Sequence, residues 1–123
     1  MRPNEPTLTS AIRALYDNES ISYAIKYTDS GEWYIEWFTS ETAEPTKDQI
    51  LVKLDELQYQ YKIDLVRYDR NQLLTDTDWI VVKHNELGTP IPQEWLDYRQ
   101  ALRDITEQTG FPENIDWPQE PES

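Results

Sequence analysis

The sequence predicts an α+β fold: a short N-terminal helix, a β-hairpin, a long helix with a C-terminal helix packed back on it as an antiparallel pair, and an extended acidic tail. Three patterns predict it. Apolar residues alternate with polar ones from Ile21 to Tyr27 and from Trp33 to Trp37, and a period of two marks half-buried strands. Ile50, Leu54, Leu57, Tyr61, Leu65 and Tyr68 recur instead at spacings of four and three, which lays one apolar stripe along a helix. Trp95, Tyr98, Leu102 and Ile105 take up the helical spacing again after a stretch broken by Gly88, Pro90 and Pro92.

The first helix is expected between Thr7 and Tyr16, where Leu8, Ile12 and Leu15 share a face, and Asp17-Asn18-Glu19-Ser20 ends it. Asp29-Ser30-Gly31 supplies the hairpin turn. A lone two-stranded hairpin is marginal in water, so its aromatic face must rest on a helix, another strand or another chain. Ser40 to Pro45 is a polar link. Thr46 and Gln49 then have the spacing of a capping box, in which a hydroxyl and an amide satisfy free N–H groups at a helix start. The long helix is expected from Thr46 to about Leu74, with a second, thinner line of Val52, Tyr59, Ile63 and Val66.

Thr75-Asp76-Thr77-Asp78 reads as a helix end or turn, because these side chains bond their own backbone. Trp79 to Val82 is apolar and β-branched, compatible with a short third strand, and Asn85 to Pro92 reads as a loop. The final helix follows, and beyond Thr109 the chain is acidic and rich in proline.

Composition narrows the function. The 123 residues carry 24 acidic and 11 basic side chains, a formal charge of −13, and such a surface repels phosphates and anionic headgroups. Nucleic acid and membrane are therefore not expected partners. Hydrophobic residues make up only 37% of the chain, so the core must be small, and five Trp and eight Tyr should dominate it. With no cysteine, stability rests on packing rather than disulfides. No secretion signal or apolar span is legible, which makes the cytosol the default and the Asn18-Glu19-Ser20 glycosylation pattern coincidental.

Candidate chemistry is thin. Asp76 and Asp78 have the spacing of paired carboxylates that hold a divalent cation, but helix termination explains them better, because no nucleotide-binding architecture surrounds them. His84, the one histidine, lacks a serine or cysteine signature beside it and reads as a solvated loop residue. Arg99 and Arg103 are expected on the exposed side of the last helix with Asp97 and Asp104, where a guanidinium fork could hold the Thr75 to Asp78 turn. Trp79 and Trp95 read as core. Trp117 sits in a tail too polar to form a core of its own, so it must dock back or bind something else. No catalytic residue, cofactor or metal site is expected.

In the C-terminal half, Leu73-Leu-Thr-Asp-Thr-Asp-Trp79, a proline-bearing spacer, Trp95-Leu-Asp-Tyr-Arg-Gln-Ala-Leu-Arg-Asp-Ile105 and Asp116-Trp117-Pro118 follow one another. This series resembles the bacteriophage tail assembly chaperone, or tail fibre assembly protein, family. Leu15-Tyr16, the aromatic hairpin and Pro45-Thr46 resemble the N-terminal half of small phage tail proteins more loosely. The residue patterns are read as one α+β domain over 1–108, with helix and hairpin in 1–45 and the signature-bearing helical hairpin in 46–108, then an acidic tail over 109–123. The resemblance implies a protein encoded beside the tail-fibre gene that binds the fibre and assists its folding, trimerisation or attachment. The host cytoplasm during assembly is then the expected location.

Thr77, Asp78, Trp79, Tyr98, Arg99, Leu102, Arg103 and Asp104 are the matching positions, expected to latch the helices together. Contacts with a tail fibre or baseplate protein are expected at Tyr23, Trp33, Trp37, Tyr59 and Trp117. The alternative is a structural component that remains in the virion tail, and self-association is left open.

Overall fold

The computed structural model describes residues 1–17 and 19–122; the Asn18 acceptor of the glycosylation pattern lies outside them. The order is α1 (Leu8–Leu15), β1 (Tyr23–Tyr27), β2 (Trp33–Trp37), α2 (Lys47–Asp76), α3 (Asp78–Leu87), α4 (Gln93–Arg103) and a 3-10 turn at Asp104–Glu107. The fold class is α+β. Contacts gather into two compact units, Asn4–Gln60 and Met1–Pro3 with Tyr61–Ser123, so α2 contributes to both.

The first unit is built by local signals that agree with one another. Thr7 caps α1 through a reciprocal pair of bonds with Ser10, and Thr46 caps α2 in the same way with Gln49, at 2.9 and 3.1 Å. Each such cap is worth about 1 kcal/mol. The hairpin is antiparallel, pairing Tyr23 with Trp37, Ile25 with Ile35 and Tyr27 with Trp33. Its turn closes where the Gly31 N–H donates to the Thr28 carbonyl at 2.9 Å, with Gly31 at φ 89°, a conformation that favours glycine.

Ala11, Ile12 and Ile50 form the buried centre of this unit, and Leu8, Leu15, Tyr23, Ile25, Trp33, Ile35, Trp37, Leu54 and Leu57 pack around it. The expected inner face of the hairpin thus rests on α1 and on the first turns of α2. Two polar bonds pin the link that follows: the Trp37 indole N–H donates to the Thr42 carbonyl at 2.8 Å, and the Tyr16 hydroxyl donates to the Ala43 carbonyl at 2.6 Å. Burial, with Glu44 nearby, raises the Tyr16 phenol above its ordinary value.

The second unit departs from expectation at one element. Trp79 to Val82 is not a third strand but the start of α3, and the sheet has two strands among the described residues. A four-residue apolar run has no period of its own, and here tertiary contacts override β-branched propensity. Only Ile80 of that run is buried. It joins Trp95, Tyr98 and Leu102 in a core capped by Leu73, Leu74 and Ile91. α3 ends at Gly88, φ 66°, with Thr89 bonded to His84 through both backbone and side chain. His84 is therefore a helix-end residue, half-buried, rather than a loop residue.

The tail is extended only from Ile115 onward; 109–113 form turns. The Gln108 amide holds Asp116 by two bonds, to its carbonyl at 2.8 Å and from its N–H at 2.9 Å, and Lys62 pairs with Glu113 at 2.8 Å. No helix among the described residues is long and apolar enough to cross a membrane.

Candidate interaction site

Arg99 organises the family-signature residues. Trp95, Tyr98, Arg99 and Leu102 are the buried side chains of α4, and their spacing puts Arg99 on the same apolar face as the other three. It is 8% exposed rather than solvent-facing as expected. Its guanidinium donates to the Leu74 carbonyl at 2.8 Å, to the Thr77 hydroxyl at 2.6 Å and to an Asp78 carboxylate oxygen at 2.8 Å. Thr77, itself buried, passes its own proton to the Leu73 carbonyl at 2.9 Å. These carbonyls lie in the last turn of α2, where acceptors run short of helical donors: the guanidinium joins the Thr77 N–H on the Leu74 carbonyl, and the Thr77 hydroxyl serves the Leu73 carbonyl.

The other signature residues divide. Tyr98 meets the edge of Trp95, ring centres 6.0 Å apart, and burial, with Glu120 and Asp76 adding negative charge, raises its phenol above the ordinary value. Leu102 is fully buried. Arg103 does not join the latch: it faces solvent and bonds only the Gln100 side-chain oxygen among the described contacts, at 3.2 Å. Asp104 accepts from the Gln100 amide at 3.1 Å, just beyond α4. Trp79, read as core, is instead 50% exposed, with the Lys83 ammonium 5.9 Å from its ring centre. A helix turns Trp79 outward because Ile80 takes the inward position.

The expected contact residues are also sorted by the fold. Tyr23, Trp33 and Trp37 point into the core of the first unit and are half-buried; Trp37 lies 5.3 Å from Tyr16 and 6.3 Å from Tyr23. Lys47 covers Trp33, its ammonium 4.5 Å from the ring centre. Tyr59 is exposed, and Trp117 is 38% exposed at the end of the docked tail. Tyr27, Tyr34 and Phe38 are further exposed aromatics of the hairpin, outside the expected contact set. Tyr34 and Phe38 hold even positions, opposite in parity to Trp33, Ile35 and Trp37, which is the sequence signal that marks them as outward.

Asp78 is committed to Arg99, which removes one oxygen from any metal role for the Asp76 and Asp78 pair. Among the described residues no group of three or more His, Cys, Asp or Glu side chains is placed to hold a metal ion. What the surface offers chemically is recognition: separate aromatic side chains exposed on a strongly acidic chain, held by a structural latch.

A small α+β protein with a buried arginine latch is the class these features define. Residues 63–122 match the family model described as phage tail assembly chaperone protein, and this segment is similar to that family. The matched segment contains the whole Arg99 latch and the docked tail. No curated protein and no solved structure matches the chain. The family points to a non-catalytic protein that acts in phage assembly and interacts with tail proteins.

Proposed function

We propose that this chaperone binds the phage tail-fibre protein in the host cytoplasm, and assists its folding, trimerisation or attachment by covering surface that is exposed before assembly. The observation that carries the reading is the family match over 63–122, joined to exposed aromatic side chains that the core leaves unused. Fibres of this kind are slow-folding, β-rich trimers whose unpaired edges and apolar ends aggregate until they are joined.

Within that reading, Thr77, Asp78, Tyr98, Arg99 and Leu102 hold the scaffold, and Arg103, Asp104 and Trp79 decorate its surface. Contact falls to Tyr34, Phe38, Tyr59, Trp79 and Trp117, because aromatic anchors supply most interface energy. The inward-facing Tyr23, Trp33 and Trp37 support the hairpin from below. The excess of carboxylates keeps the free chaperone soluble while these rings remain uncovered. Expressing the tail-fibre gene with and without this chain tests the proposal. Soluble fibre and trimer content should rise with the chaperone, and equal yields would remove the reading.

A further inference from the structure

The outer edge of β1 is open, and a groove runs along it. The Phe38 N–H donates to the Ser22 carbonyl at 2.9 Å and the Thr28 N–H donates to the Glu32 carbonyl at 2.8 Å. Both pairs continue the register of Tyr23 with Trp37. Hydrogen-bonded and non-bonded pairs alternate along an antiparallel ladder. Ala24 with Glu36 and Lys26 with Tyr34 therefore complete the bonded set. Tyr23, Ile25 and Tyr27 consequently turn their N–H and C=O groups away from β2. No third strand lies beside them among the described residues, and none of the turn, loop or cap bonds uses those groups.

The groove beside this edge is lined by Thr9 and Arg13 of α1 and by Ile21, Ser22, Tyr23 and Ile25. Thr9 and Arg13 are one helical turn apart and so share a face. A helix wall carrying a hydroxyl and an exposed guanidinium thus faces a row of unpaired backbone donors and acceptors. The other edge of the hairpin differs: its cleft, along Trp33 and Ile35, is walled by Glu44, Pro45, Thr46 and Lys47 of the same chain, and Lys47 already covers Trp33.

We propose that an extended segment of the tail-fibre protein adds to β1 as a third strand in the α1 groove, with a carboxylate of that segment bound by Arg13. Main-chain bonds to Tyr23, Ile25 and Tyr27 supply the affinity, and Arg13 sets the register, the division of labour usual when a strand is added to a sheet edge. Charge selects the occupant. In a chain of net charge −13 an acidic segment is repelled in general, and among the described residues the groove lining holds an arginine and no acid. The inference rests on the fibre-binding reading and names the segment that binding would capture.

The test uses the full, 15N-labelled chain, free and in complex with co-expressed tail-fibre protein, and follows amide hydrogen exchange at Tyr23, Ile25 and Tyr27. These amides should exchange rapidly in the free chain and slow by at least about tenfold in the complex, as paired strand amides do. R13E and Y27P should each weaken the complex about tenfold, by reversing a charge-assisted contact and by deleting one edge donor. The Tyr27 ring is already 65% exposed, and R13E, on the solvent side of α1, serves if Y27P does not fold. A complex that forms with unchanged affinity in R13E, its three amides still unprotected, overturns the groove and leaves the fibre-binding reading standing. Absence of any complex with the fibre protein overturns both.

Discussion

Arg99 and Thr77, separated by 22 positions in the chain, meet in a 2.6 Å hydrogen bond that joins α4 to the junction of α2 and α3. The bond is buried, and the same guanidinium also holds the Leu74 carbonyl. Thr77 and Arg99, both within the segment 63–122, thereby act as one structural device. The Asp78 side chain, 60% exposed, completes the device from the solvent side.

Replacing Arg99 should test how far the latch stabilises the helical unit. R99A removes the charged donor shared by the Leu74 carbonyl, the Thr77 hydroxyl and Asp78, leaves Leu74 only its bond from the Thr77 N–H, and is expected to cost about 2 kcal/mol. R99K should recover only part of this, since an ammonium cannot reproduce the fork. D78N should cost less than about 1 kcal/mol, because water screens an exposed partner. Urea titrations followed by tryptophan fluorescence would rank the three variants.

Thr77 gives an independent check on the same junction. T77V keeps the shape but removes the hydroxyl that accepts from Arg99 and donates to Leu73, and should cost about 1–2 kcal/mol. T77S should stay close to the parent. Equal stabilities for the two in thermal melts would mean that the hydroxyl is not needed.

Alkaline pH should loosen the helical unit through Tyr98. Its phenol is raised above the ordinary 10.0 by burial, then by Glu120 and Asp76. The folded state therefore resists ionisation that the unfolded chain accepts. Stability from this group is complete below pH 10 and falls as pH rises through the folded-state value. Y98F should flatten that part of the pH profile, leaving the similarly raised Tyr16 of the other unit unaffected. Denaturation series from pH 8 to pH 12 would show it.

The two faces of the hairpin should respond differently. W37A removes a ring packed on Tyr16 and Tyr23 and its indole bond to Thr42, for an expected loss of about 3 kcal/mol. Y34S and F38S alter exposed rings and should stay within about 0.5 kcal/mol of the parent. Calorimetry on the three variants separates supporting aromatics from surface ones before any binding is measured.

How much of this was legible varies with the physics of each position. Thr46 and Gln49, Gly31 and the alternation of β2 act through local bonds, and their elements fall where the sequence puts them. The α2 stripe extends slightly further than expected, to Asp76. The size of Trp79 suggests core and Val81 and Val82 suggest a strand, but the run forms a helix in which Ile80 takes the inward position and Trp79 turns out. The expected hold of an arginine fork on the Thr75 to Asp78 turn is present at Arg99, but the side chain is buried rather than exposed, because Trp95, Tyr98 and Leu102 set a spacing that includes it. Its three acceptors lie 21 to 25 residues earlier in the chain, and no local pattern announces a buried guanidinium. Tyr34 and Phe38 are legible by parity alone, opposite to the inward aromatics of the hairpin.

Trimer formation by the tail-fibre protein is the most direct measure of the proposed function. The fibre would be co-expressed with the wild-type chain, with the Y34S/F38S double variant, or alone, and soluble trimer quantified by size-exclusion chromatography with light scattering. The account predicts abundant trimer with the wild type and a marked loss with the double variant, whose own stability is unchanged. Equal trimer in all three cultures would contradict it.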